Sequence, residues 1–137
     1  MSRKTGFGEW LDWDFCNWIF DTGNTATITD IETGKQFKVK RYGGSSHADC
    51  EPLTAADTQI MKEIFGGSWS WERRAVVVNV GDRYLAASMN GMPHGDESIT
   101  GNDFDGQFCV HFLNSKNHNT NQVDAQHQAM VQKAAGY

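Results

Sequence analysis

Apolar and polar residues change places along this chain in short runs bounded by Gly, Asn, Asp and Pro. From Thr25, the run Ala-Thr-Ile-Thr-Asp-Ile leads into Glu32-Thr33-Gly34-Lys35 and then Gln36 to Tyr42, where Phe37 and Val39 alternate with lysines. That pattern predicts a β-hairpin turning near Thr33-Gly34. Gly43-Gly44-Ser45-Ser46 opens an expected loop that runs through His47 and Asp49 to Thr54. Thr54-Ala-Ala-Asp57 then reads as a capping box. Ile60, Met61, Ile64 and Phe65 share one helical face and Gly66-Gly67 stops the helix, which predicts a helix over 54–65. Ala75 to Val80 is a β-branched run expected to form a central strand. Gly81-Asp82 turns it into Arg83 to Met89, and Asn90-Gly91 and Pro93 break the second strand ahead of His94-Gly95. After a polar loop over 96–106, Gln107 to Leu113 alternates with period two. Phe108, Val110 and Phe112 take one face, and Gln107, Cys109, His111 and Leu113 take the other. Val123 to Ala135 predicts a second helix, begun by Asp124.

Residues 1–23 carry Trp10, Trp13, Phe15, Trp18, Ile19 and Phe20 without a clean period and are expected to form an irregular aromatic cover on the sheet. With no internal repeat and no linker, 137 residues are expected to make one domain over 1–137. The fold class is mostly β with two helices, as a curved sheet or small sandwich. Five Trp and eight Phe supply the burial that scarce Leu cannot. A formal net charge of −5 and no run of basic residues argue against nucleic acid or an anionic membrane surface as a partner. No apolar run reaches the ~18–20 residues of a membrane span. The start of the chain lacks the apolar stretch of a secretory signal, and a monomer is expected.

Cys16, Cys50 and Cys109 are the three cysteines, and none stands in a C-x-x-C. Cys16 and Cys50 read as structural thiols, able to pair if the chain matures outside the cell. Cys109 shares a strand face with His111, but side chains at i and i+2 stand roughly 6.5–7 Å apart, which is long for proton transfer. His94, fifteen residues upstream, meets Cys109 if their strands are neighbours. A thiol with a histidine in reach is the minimum for cysteine acyl chemistry. A second chemistry competes. His47, Asp49, His94 and His111 offer imidazole and carboxylate for zinc, although no H-E-x-x-H or His-x-His is present. His47 and Asp49 also fit a plain loop turn, and His118 and His127 are expected to be solvated. Trp69 and Trp71 alternate with serines and fit either a sugar-stacking platform or core packing. Arg73 and Arg74 each suit an anion or solvent.

His94-Gly95, a Gly-rich gap, and Gly106-Gln107-Phe108-Cys109-Val110-His111 resemble the signature of YkuD-type L,D-transpeptidases, in which a His-Gly precedes Ser-His-Gly-Cys-hydrophobic-Arg. Further segments are similar to cell-wall-associated domains of Gram-positive bacteria and their phages. They are Asp30-Ile-Glu-Thr-Gly-Lys-Gln-Phe, His47-Ala-Asp-Cys-Glu-Pro-Leu-Thr54, Gly67-Ser-Trp-Ser-Trp-Glu-Arg-Arg74 and Ala87-Ser-Met-Asn-Gly-Met-Pro-His-Gly95, and the likeness runs from about residue 24 to 133.

The resemblance implies a transpeptidase-like fold and a cell-wall location. It makes Cys109 the nucleophile, His94 the base, the Gly95 carbonyl the group near the imidazole, and the N–H groups around Phe108 and Cys109 the oxyanion donors. Gln107 replaces a histidine and His111 an arginine of that signature. With Phe108, His47, Asp49, Trp69, Trp71, Arg73 and Arg74 they form the expected substrate-binding set. The implied reaction is acyl transfer on peptidoglycan stem peptides through a Cys109 thioester, without a cofactor. A zinc peptidase and a non-catalytic wall-binding module are the other readings.

Overall fold

Residues 4–137 are described by a computed structural model, with helix α1 (Trp13–Ile19), strands β1 (Thr25–Asp30), β2 (Gln36–Gly43) and β3 (Ala48–Pro52), helix α2 (Ala55–Ile64), strands β4 (Ser70–Val80), β5 (Arg83–Gly91) and β6 (Phe108–His111), and helix α3 (Ala125–Ala134). The expected hairpins form as β1–β2 and β4–β5. The sheet, however, is neither open nor a sandwich. β1 also pairs with β4, and the six strands close into an antiparallel barrel in the order β1-β2-β3-β6-β5-β4. Closure follows from the right-handed twist of the sheet and leaves no unpaired edge.

Two further expectations are corrected. The loop expected over His47 to Thr54 contains β3, because Ala48 and Cys50 point into the barrel while Asp49 and Glu51, polar but covered, point outward. A third helix, α1, lies in the N-terminal cover, of which residues 1–3 are outside the described part. Its buried Trp13 and Cys16 alternate with exposed Phe15 and Trp18, so aromatics on both faces hide the helical period.

The barrel interior takes one residue in two from every strand: Ala26 and Ile28, Phe37 and Val39, Ala48 and Cys50, Val76 and Val78, Leu85, Ala87 and Met89, Phe108 and Val110. Phe37 and Phe104 flank Phe108 with ring centroids 6.2 and 5.9 Å away. α3 packs on the outer face of β4 and β5, where Ala75 and Ala86 leave room for Val131, Ala134 and Ala135. α2 starts at the predicted cap. The Thr54 hydroxyl oxygen accepts from the Asp57 N–H, and the Asp57 carboxylate takes the Lys38 N–H of β2, which ties the helix to the barrel. No helix among the described residues is long and apolar enough to cross a membrane.

The loop after β5 is held at several points. Buried Glu51 accepts from the Ser98 N–H and hydroxyl and from the Ile99 N–H. Thr58 donates to the Asn102 carbonyl, whose side chain in turn donates to Pro52 O. His94 and Gln107 exchange both backbone hydrogen bonds at 3.0 and 2.7 Å. Gly106, at φ +114°, makes that approach possible, since a Cβ there would stand 2.4 Å from the His94 carbonyl oxygen.

Candidate active site

With Phe108 and Val110 filling the barrel, period two places Cys109 and His111 on its outer wall. The register sets Asp49 opposite Cys109 on β3 and Ser88 opposite His111 on β5, so Asn90 falls beside Cys109. A cleft of about 400 Å³ covers this wall, lined among others by His47, Trp71, Asn90, His94, Cys109 and His111, and rimmed by Asn117, His118 and Asn119.

Cys109 Sγ lies 3.5 Å from His94 Nε2. His94 Nδ1 is 2.7 Å from the Met92 carbonyl oxygen, which can only accept, so Nδ1 carries a proton and Nε2 faces the thiol. The orienting carbonyl is therefore that of Met92 and not that of Gly95, because the chain turns away at Gly95 with φ +73°. Immediately before β3, His47 Nδ1 is 2.8 Å from the Lys116 carbonyl oxygen and Nε2 is 3.1 Å from Asp49 Oδ1. Both ring nitrogens thus face acceptors, the arrangement of an imidazolium. Burial opposes that charge, but the Asp49 hydrogen bond and the neighbouring Cys109 override it and raise the His47 pKa to about 10. Burial likewise raises the Cys109 thiol, yet His47 and His94 together bring it below its ordinary value. The hydrogen bond to Cys109 raises the His94 pKa in spite of partial burial. The Cys109 thiol accordingly lies between two imidazoles that favour its ionisation.

Cys16 and Cys50 are the opposite case. Both are fully buried free thiols, unpaired with each other, and burial pushes both pKa values up.

Several expected site residues lie elsewhere. Phe108 is in the barrel core. The Gln107 side chain donates to Asp96 O and holds the loop instead of lining the cleft. The Cys109 N–H is not a free oxyanion donor, because it donates to Asn90 Oδ1 at 3.1 Å. That bond fixes the Asn90 amide orientation and leaves its Nδ2 as a donor on the cleft wall. Trp69 packs edge-on against Phe104 at 5.2 Å, whereas Trp71, 53% exposed, sits 5.1 Å from the His94 ring. The two indoles therefore make no common platform, because the strand is irregular between Ser70 and Arg74. Arg73 reaches the cleft and donates to Asp124 at 2.8 Å. Arg74 is bound through two nitrogens to buried Asp30, on another part of the surface. His118 is half exposed, as expected, and stands 3.6 Å from Asp49 Oδ2.

His127 corrects the sequence reading most. It is 3% exposed, accepts the Ser88 hydroxyl or donates to it at 2.7 Å, and stacks on His111 with ring centroids 3.8 Å apart. The other face of His111 stacks on His47 at 4.4 Å. The signal was present, since His127, Val131 and Ala134 follow helical spacing on the buried face of α3. His111 therefore sits inside a three-ring stack, apart from the His47, Asp49 and Cys109 group, and its Nδ1 has no partner among the described residues. Burial, then His127 and His47, lower the His111 pKa to about 2, and burial lowers that of His127 as well.

A depressed histidine pKa means the native state binds fewer protons than the unfolded chain below about pH 6.5. The stabilisation is complete above that pH and is lost as the pH falls. His47 and His94, with raised values, lose none of theirs on acidification. Between pH 6 and 5, unfolding free energy is expected to fall by about 2–3 kcal/mol. Urea titrations at the two pH values measure it, and His127→Phe should roughly halve the drop. A midpoint flat from pH 6 to 5 contradicts the neutral stack.

Comparison of the chain with protein families, with curated proteins and with solved structures finds no match.

Proposed function

We propose that this chain is a cysteine acyl-transfer enzyme acting at the cell wall on peptidoglycan stem peptides. The observation that carries the chemistry is the 3.5 Å approach of Cys109 Sγ to His94 Nε2, with His94 Nδ1–H held by the Met92 carbonyl. The resemblance of His94-Gly95 and Gly106 to His111 to the L,D-transpeptidase signature supports the substrate class.

In this reading the Cys109 thiolate attacks an amide carbonyl, and the Asn90 amide N–H faces the developing oxyanion. Collapse breaks the C–N bond while protonated His94 gives its Nε2 proton to the leaving amine, and a thioester on Cys109 remains. An incoming amine or water then loses a proton to His94 as it displaces the thiolate. Hydrolysis and cross-linking differ only in that acceptor. Trp71, exposed beside His94, and Arg73 flank the path of the peptide.

The test is a short incubation with purified peptidoglycan, acid quench and mass spectrometry of the digested protein. An acyl adduct is expected on the Cys109 peptide, and a chelator is expected to leave turnover undiminished. Turnover without an adduct, abolished by the chelator, would overturn the reading.

A further inference from the structure

Acyl transfer uses one thiol and one histidine, yet a second histidine and a carboxylate converge on the same sulfur. His47 Nε2, an Asp49 carboxylate oxygen and Cys109 Sγ all lie within 4.8 Å of one another. His47 Nε2 is 3.1 Å from Asp49 Oδ1, Cys109 Sγ is 4.0 Å from that oxygen, and His94 Nε2 is 3.5 Å from Sγ. Ligand atoms around a tetrahedral zinc ion, with bonds of about 2.0–2.3 Å, stand roughly 3.3–3.8 Å apart. The two separations to Asp49 Oδ1, 3.1 and 4.0 Å, bracket that range, and His47 Nε2 lies within 4.8 Å of Sγ, so side-chain rotations would seat an ion.

The outer contacts point the same way. Each histidine spends its Nδ1–H on a backbone carbonyl, Lys116 O at 2.8 Å and Met92 O at 2.7 Å, and so presents Nε2 inward. That outer hydrogen bond is the one that fixes tautomer and ring direction in metal-bound imidazoles. Backbone register holds the set together, because Asp49 and Cys109 are cross-strand partners and His47 precedes Asp49 by two on the same outer side of the barrel.

We propose that His47, Asp49 and Cys109 form a binding site for a borderline-soft divalent cation of the zinc class, with His94 Nε2 able to complete the coordination, and that the bound ion silences the thiol. One thiolate, one or two imidazoles and one carboxylate suit Zn²⁺ and disfavour Mg²⁺ or Ca²⁺, which take oxygen ligands. The ion replaces the proton between His47 and Asp49 and occupies the sulfur lone pair that would attack a carbonyl. Binding therefore releases a proton and removes the nucleophile together. Only the loss of turnover rests on the acyl-transfer reading; the site does not.

The experiment titrates the chelator-stripped full chain with Co²⁺ alone and follows its absorption. Expected are saturation at one equivalent and a thiolate-to-cobalt charge-transfer band. The near-isosteric Cys109→Ser should abolish the band, and His47→Gln and Asp49→Asn should each weaken binding at least about tenfold. One equivalent of Zn²⁺ should displace the cobalt and lower peptidoglycan turnover at least tenfold, with recovery on adding chelator. A band that never saturates, or that survives Cys109→Ser, overturns the site, and so does affinity unchanged in both His47→Gln and Asp49→Asn. Saturating binding with turnover that requires the ion upholds the site and overturns the thiol enzyme. Saturating binding with undiminished turnover overturns the silencing.

Discussion

Cys109→Ala is expected to lower peptidoglycan turnover at least about a thousandfold, and His94→Ala about a hundred- to ten-thousandfold, with little change in stability for either. The effects are large because no described residue can take over either role. His47, the second imidazole beside the sulfur, has both ring nitrogens held by Lys116 O and Asp49, His111 is locked neutral between two rings, and Cys16 and Cys50 are sealed inside the protein. Stability should hold because Cys109 loses one atom at the floor of an open cleft, while the His47–Asp49 pair stays intact. A parallel readout needs no substrate. Ordinary thiols near pKa 8.5 lose reactivity about tenfold for each pH unit below it. Cys109, held lower by His47 and His94 against its burial, should lose less than that tenfold in iodoacetamide alkylation between pH 8 and pH 7, and Cys16 and Cys50 should stay unmodified. Turnover within tenfold of wild type in Cys109→Ala would exclude the thiol mechanism.

Arg41→Ala is expected to cost about 3–5 kcal/mol of unfolding free energy, the largest stability effect of any single side chain discussed. Arg41 is 2% exposed, and burial lowers its pKa. Its guanidinium donates to Gly43 O at 3.0 Å, Asn17 O at 3.0 Å, Phe20 O at 2.7 Å and Gly44 O at 2.7 Å, with its carbon 5.1 Å from the Trp13 ring centroid. Asn17 and Phe20 are at the C-terminal end of α1, so Arg41 caps that helix from β2. Gly43 and Gly44 lead into His47, and Trp13 Nε1 donates to Ser45 O in the same turn. The substitution should therefore loosen the segment that carries His47 as well as the N-terminal cover. Arg41→Lys should recover less than half, since one ammonium cannot span a planar fork of four acceptors. Urea unfolding measures both, and a loss under 1 kcal/mol for Arg41→Ala would contradict the account.

Much of the fold was legible because its signals are local. The β1–β2 and β4–β5 hairpins, the Thr54 start of α2 and the Asp124 start of α3 each depend on residues within a few positions of one another. The strand Gln107 to Leu113 showed which side of it would be polar, and His94 and Cys109 followed from spacing and resemblance. Asp49 and Glu51 disguised β3, because polar residues in a strand suggest exposure, and here both are covered. His127 misleads for the same reason, since a histidine followed by Gln on a helix looks solvated until something packs on it. Asn90, next to Gly91 and Pro93, reads as a strand breaker, although period two places it beside Ser88 on the outer wall.

Local pattern determined the elements, their caps and the two faces of each strand, because hydrogen-bond periodicity and side-chain alternation act over two to five residues. Only the closed barrel decided that Asp49 meets Cys109, that Met92 and not Gly95 orients His94, and that His47, His111 and His127 stack. Those partners are separated by stretches of chain whose register depends on every strand between them. Protonation belongs with the tertiary structure too. His47 charged, His111 neutral and the lowered pKa of Cys109 are set by burial and by the charges that packing brings near, and no stretch of sequence carries either.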